Sequence, residues 1–252
     1  MEINALTAFS NLNIEQAQTL VKISDKYGAS MIKMVDEITS KIKGMDAETA
    51  ARSAGWYFEA HEYAASLASK YDVSISIAAG VISAVSPRMP WLRNKTVANA
   101  ILRDFRKYSD LSAKDAAKEI GMALGTNVAM AITIARSGDV ENVLTGIKRR
   151  SFYNNIVAPV GSDSVTVDTW MMVAFVNTTG TDKATALKYL NASQQSLNKA
   201  GAGYIVIAEA VREVALNMSL FPSQVQALYW VAVSGDFNGG RKEITGEAQD
   251  NA

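Results

Sequence analysis

The sequence predicts an all-α fold of ten to twelve helices, and three observations carry that expectation. Apolar side chains recur at helical spacing along almost the whole chain. No two alternating apolar/polar runs are joined by a hairpin turn, and the β-branched run 165–167 is too short to found a sheet. No fixed-period repeat or low-complexity linker divides the helical pattern.

Taken in order, residues 14–43 carry Ala17, Leu20, Val21, Ile23, Met31, Ile32, Met34, Val35 and Ile38 behind an Asn13 cap, which reads as one long helix. A second helix is expected over about 47–70, with Trp56, Tyr57, Ala60, Ala64 and Leu67 on one side. Residues 74–86, SISIAAGVISAVS, are apolar nearly all round, the signature of a buried central helix. Pro87 and Pro90 end it and force a short loop. Further helices are expected at about 91–107, 112–123, 126–137, 139–145, 149–157, 168–178, 182–193, 202–218 and 222–234. Residues 1–236 then form one compact domain, or two packed helical lobes with a cleft between them, and 237–252 read as a polar tail.

Composition narrows the chemistry. The 252 residues carry no net charge, so global charge does not point to nucleic acid and local charge has to be read instead. With no cysteine, disulfides, thiolate zinc sites, iron–sulfur clusters and a cysteine nucleophile are excluded. One histidine cannot build a histidine-rich metal centre. The N-terminal stretch lacks the basic start and apolar core of a signal peptide, and no apolar run approaches the ~18–20 residues of a membrane span. The expectation is a cytoplasmic protein with no membrane partner, no metal and no cofactor.

Several familiar motifs fail on inspection. HEYAA at 61–65 begins like a zinc-protease helix but has Ala65 where the second histidine belongs, so His61 reads as structural. GAGY at 201–204 lacks both the third glycine and the preceding strand of a dinucleotide site.

The stretch 139–170, DVENVLTGIKRRSFYNNIVAPVGSDSVTVDTW, is more informative. A helix ends near Leu144, Gly146 makes a tight turn, and the next helix opens with Lys148, Arg149 and Arg150. Free helix-start N–H groups beside three cations can seat a phosphate; the plainer reading is a solvated basic turn. Asp168 then stands alone between two valines and the apolar run beginning at Trp170. It reads either as a helix cap, for which Asp is a preferred residue, or as a catalytic carboxylate held at a helix start.

This arrangement resembles the helix-hairpin-helix and catalytic-aspartate module of the HhH-GPD DNA glycosylase superfamily. LTGIKRRSF corresponds to the hairpin and VDTW to the aspartate motif, with Gly146 standing 22 residues before Asp168. Thr145 stands for the hairpin proline, Lys148 for its second glycine and Trp170 for the histidine after the aspartate. Arg150 occupies the position of the Schiff-base lysine of bifunctional members, which implies a monofunctional reaction. Upstream, IAAGVISAVSPRMPWLRNKTVANAIL (77–102) is similar to the superfamily's buried helix, DNA-intruding loop and following helix. Six Lys/Arg face one acid between 88 and 107, with Trp91 among them, a pattern suited to phosphate contact and base stacking. SPRMPWLRN, GIKRRSFYNNI and FPSQVQALYW also resemble a phage-associated subgroup linked to hypermodified thymine, which includes transferases acting on activated 5-hydroxymethyluracil in DNA.

The resemblance implies a DNA-base-acting enzyme with double-stranded DNA, plain or carrying modified bases, as its partner; for a phage protein, the site of action is the host cytoplasm. Asp168 would be catalytic. Arg88, Met89, Trp91, Arg93, Asn94, Lys95, Gly146, Lys148, Arg149 and Arg150 would contact DNA, while Ser83, Ser86, Tyr153 and Trp170 would line a base pocket. The reaction expected first is N-glycosyl hydrolysis. A base-hypermodification transferase and a catalytically inactive DNA-binding module are the alternatives.

Overall fold

The computed structural model describes residues 31–107, 110–119, 125–180 and 202–237. All regular structure among them is helical: α1 Met31–Lys43, α2 Ala47–Ala54, α3 Trp56–Tyr71, α4 Ile75–Val85, α5 Trp91–Asp104, α6 Ala113–Glu119, α7 Gly125–Ser137, α8 Val140–Val143, α9 Ile147–Val157, α10 Met172–Thr179, α11 Ala202–Met218 and α12 Pro222–Ser234. The all-α expectation and its count of ten to twelve helices are met within these residues.

Local chemistry accounts for most boundaries. Asp46, Ser74 and Asp139 each stand ahead of a helix and accept from a backbone N–H in its first turn, at 2.8, 3.1 and 3.0 Å. Pro222 opens α12, where Gln224 Oε1 accepts from the Phe221 N–H at 3.1 Å, and Gly235 closes it with φ of 67°. The expected helix over 47–70 is two, because the chain breaks between α2 and α3 at Gly55. The helix expected at 149 starts at Ile147, directly after Gly146, whose φ of 90° favours glycine. Residues 14–30 of the first expected helix and the whole of 182–193 lie outside the described residues, as do 120–123 of the fifth.

The apolar residues gather into two clusters. The larger is built by α3 to α9 around α4, whose residues 78–85 are all buried. The central position predicted for this helix follows from its lack of a polar face: α3, α5, α7, α8 and α9 all pack on it. The second cluster joins α1, α10, α11 and the residues just ahead of α10. Helix α12 serves both, with Ala227 in the first cluster, Val225, Leu228 and Tyr229 in the second, and Trp230 packed against the two together. Phe237, where the polar tail was expected to begin, is still held: its carbonyl accepts from Trp56 Nε1 at 3.2 Å and its ring lies 4.0 Å from the Arg52 guanidinium. Residues 238–252 of that tail lie outside the described residues.

Close packing at α4 depends on Gly80. A Cβ there would lie 3.0 Å from both γ-methyls of Val140 and 3.1 Å from Ile134 Cγ2. Gly80→Val is expected to lower stability by ~1–3 kcal/mol through overpacking, read as a lower denaturant midpoint at unchanged slope.

Candidate functional site

After α9 the chain passes Pro159 and Gly161 and runs without regular structure through 162–168 between the two clusters. Both sides pin it. From α9, Asn155 Nδ2 donates to Thr166 Oγ1 at 3.2 Å, and Ser162 Oγ donates to Asn155 Oδ1 at 3.2 Å. From α11, the buried Tyr204 hydroxyl donates to the Val165 carbonyl, accepts from the Val167 N–H at 3.3 Å and lies 3.0 Å from Ser151 Oγ. Val165, Thr166 and Val167 are buried, and Asp168 emerges half-buried beyond them.

Three donors converge on the Asp168 carboxylate. Oδ1 accepts from the Trp170 N–H at 2.9 Å and the Met171 N–H at 3.1 Å, while Oδ2 accepts from Trp230 Nε1 at 3.1 Å. The helix expected to start at 168 starts at Met172, because Asp168 organises the turn ahead of it. It is therefore a cap in kind, with an additional bond from an indole 62 residues away. Nearby, the buried Tyr57 hydroxyl donates to Gln226 Oε1 at 2.7 Å; burial pushes its phenol well above the usual tyrosine range, and the Asp168 charge adds to that.

An aromatic wall connects this carboxylate to the basic 86–95 region. Trp230 and Trp56 have ring centroids 5.8 Å apart, and Trp56 and Trp91 5.0 Å apart, with Phe152 within 6.0 Å of Trp56 and Tyr57. Trp91 is the first residue of α5, and Lys95 lies 5.6 Å over its ring and 5.5 Å over that of Tyr63. Between α4 and α5, the Met89 N–H donates to the Ser86 carbonyl at 3.2 Å across a turn with Pro87 second and Arg88 third. Arg88 is exposed at the tip with φ of 60°, a conformation that side chains other than glycine adopt at a cost. Arg93 is exposed, whereas Met89 packs against the larger cluster. Asn94, expected on DNA, is instead 2% exposed, donating to the Ile82 carbonyl at 3.2 Å.

The hairpin cations are only partly available. Gly146 occupies the tight turn expected of it, and its carbonyl accepts from the Arg150 N–H at 3.0 Å. Arg149 turns inward to Asn127 Oδ1, Met130 Sδ and Thr145 Oγ1, and burial lowers the pKa of its guanidinium. Arg150 donates to the Glu141 carbonyl and pairs with its carboxylate at 3.6 Å. Lys148 is half-exposed. Among the described residues no hydrogen bond or ion pair joins Asp168 to any of these three.

The four residues expected to line a base pocket are not brought together. Ser83 is fully buried in α4, and Ser86 Oγ donates to the Ser83 carbonyl at 2.9 Å, closing the helix end. Tyr153 lies at the other end of α4, its hydroxyl 2.6 Å from Ser76 Oγ, and seven helical residues separate Ser76 from Ser83 by about 10 Å. Trp170 is half-buried beside Asp168. His61 is structural, its Nδ1 donating to the Ile156 carbonyl at 2.8 Å. Trp56, Trp230 and Tyr204 were not anticipated as parts of the site. Trp230 meets Asp168 across 62 residues, Tyr204 meets the extended segment across 37 and 39, and Trp56 reaches the site through Trp230; no periodic pattern encodes such contacts.

Two measurements check this geometry. Asn at 168 can keep the two backbone bonds but sets an amide N–H₂ against the Trp230 indole N–H. Asp168→Asn is therefore expected to cost ~1–3 kcal/mol, and a double-mutant cycle with Trp230→Phe should show coupling of ~0.5–3 kcal/mol. Alkaline stability checks the buried phenols. Burial raises Tyr204 from 10.0 to about 12, and Tyr57 and Tyr229 rise for the same reason. The folded state thus favours the neutral phenols. Their contribution is fully present below pH 10 and is lost as pH climbs through about 12, so the melting temperature should fall across that window. Tyr204→Phe should blunt the fall.

No curated protein and no solved structure matches this chain. Residues 20–237 match a family described as a family of unknown function, DUF7178. That match takes in both clusters, the aromatic wall and Asp168, and the protein belongs to this family.

Proposed function

We propose that this protein acts on a base in DNA, with Asp168 as the catalytic carboxylate of a monofunctional N-glycosylase. The observation that carries this reading is the orientation of Asp168 by three donors, at the end of an aromatic wall that starts at the basic loop-and-helix segment. A carboxylate fixed in this way can stabilise a developing oxocarbenium sugar, or take the proton from an attacking water, without reorganising during the reaction. A base inside a duplex is out of reach, so the target must leave the stack. Arg88, exposed at the tip of a turn, is the side chain best suited to enter the gap, and half-exposed Trp91 offers a ring face.

Contact with the phosphates around the flipped base falls to Arg88, Arg93, Lys95 and Lys148; Arg149 turns inward to Asn127, Met130 and Thr145, and Arg150 lines a separate cleft. Neutralising Arg88, Arg93 and Lys148 together should flatten the slope of log affinity on log salt by ~2–3, at ~0.9 per lost phosphate contact. An unchanged slope rejects these contacts.

The reaction is tested by incubating the protein with plain DNA and with DNA carrying 5-hydroxymethyl-pyrimidines, followed by nucleoside mass spectrometry. Free base is the expected product. Asp168→Asn, assayed where it remains folded, should lower its formation by ~10²-fold or more, whereas Trp230→Phe, which keeps the carboxylate, should lower it less. A mass increase on the base with the sugar bond intact would assign the transferase alternative. DNA binding without either product, unaffected by Asp168→Asn, would leave an inactive DNA-binding module.

A further inference from the structure

Beside the Tyr204–Val165 contact lies a cleft of about 340 Å³ whose lining does not include Asp168. Its walls come from α9, the extended 163–165 segment and α11. Two arginines line it, Arg150 from α9 and Arg212 from α11, together with Ser151, Ser164 and Asn154. We propose that this cleft binds a phosphate group on a small polar molecule.

Both arginines are held in place by partners on one side. Arg212 Nε donates to the Asp163 carbonyl at 3.0 Å, and its Nη1 pairs with Glu209. Arg150 Nη2 donates to the Glu141 carbonyl. Such bracing removes the rotamer freedom that a long side chain otherwise loses on binding, so the guanidinium edges are preorganised. Arg150 is also the less compensated charge. Its carboxylate neighbour Glu141 is 3.6 Å away with a side chain 75% exposed, where water screens the pair. Its Nε is buried with no acceptor among the described residues.

The remaining lining fits a phosphate better than an apolar ligand. Ser151 and Ser164 are hydroxyl donors, and Asn154 Nδ2 reaches Ser164 Oγ at 3.0 Å, leaving the serine hydrogen to turn toward an oxyanion. Forked N–H groups flanked by hydroxyls match phosphate oxygens geometrically. The volume exceeds what a bare phosphate needs and lies in the range of small-molecule sites. Asp163 at the rim supplies an acceptor for the hydroxyls of a sugar. The group bound is then a sugar or nucleoside phosphate, or the same group within a nucleic-acid backbone.

The full chain is titrated by phosphorus NMR with inorganic phosphate, ribose 5-phosphate and a nucleoside monophosphate, and separately by fluorescence anisotropy with a short single-stranded oligonucleotide. Ser164→Glu puts a negative charge in the cleft wall at a half-buried position outside the two apolar clusters. It should weaken binding at least ~10-fold with an unchanged circular dichroism spectrum, and Arg150→Gln should do the same by removing the less compensated cation. Small phosphates binding in the low-millimolar range or tighter, and lost in both variants, support a free phosphorylated ligand. Binding of the oligonucleotide alone, lost in both variants, supports the backbone as the source of the phosphate. No binding of any probe, or binding indifferent to both substitutions, overturns the proposal. Asp168→Asn should leave this binding unchanged, so failure here and failure of the glycosylase reading are separate results.

Discussion

A helix without a polar face has to be enclosed, and α4 imposes that constraint on this chain. Eight consecutive buried residues, 78–85, leave no side for solvent, so five other helices pack on it. The closest approach, at Gly80, lets α7 and α8 come near enough to present α9 on another side. Helix α9 in turn carries Asn154 and Asn155, whose amides meet Ser164 and Thr166 of the extended segment ahead of Asp168. The position of the carboxylate thus traces back, contact by contact, to a helix that never touches it.

Helix α12 and the 158–171 wrap join the two clusters, beside the direct Tyr204–Ser151 bond from α11 to α9. Trp230 joins the two in a single side chain: its ring packs on both clusters and its N–H meets Asp168. An indole with one apolar face and one donor suits such a junction, since its N–H needs a partner once it leaves water. Ser223 Oγ donating to the Pro159 carbonyl at 3.0 Å anchors the start of α12 to the same wrap. The hydrogen bonds at this junction are therefore arranged to hold the wrap between the clusters, and Asp168 is its last fixed point before α10.

Cations that look equivalent along the chain differ in what they can do. Arg149 is half-buried against neutral acceptors, Arg150 leans on Glu141, and Lys148 stays half-exposed. Helical geometry explains the divergence, because consecutive residues on a helix point about 100° apart, so one run of three charges faces three different surroundings. The same geometry moves Tyr153 toward the start of α4 and away from Ser86.

The sequence by itself determined the helical class, the central place of α4, most helix limits and the tight turn at Gly146. Each of these is a local matter of periodicity, capping or backbone freedom, written within a few residues of where it acts. It also singled out Asp168, since one acid ahead of an apolar run is visible without any knowledge of partners. Only the tertiary structure decided what Asp168 touches, because Trp230 lies 62 residues away and its N–H carries no periodic mark. The burial of Asn94 and Ser83 was decided in the same way. Their polarity suggests a surface, yet α4 and the start of α5 close over them, since burying apolar neighbours outweighs the cost of two small polar side chains. That Arg150 and Arg212 line one cleft likewise depends on how separate helices meet, which periodicity within one helix does not encode.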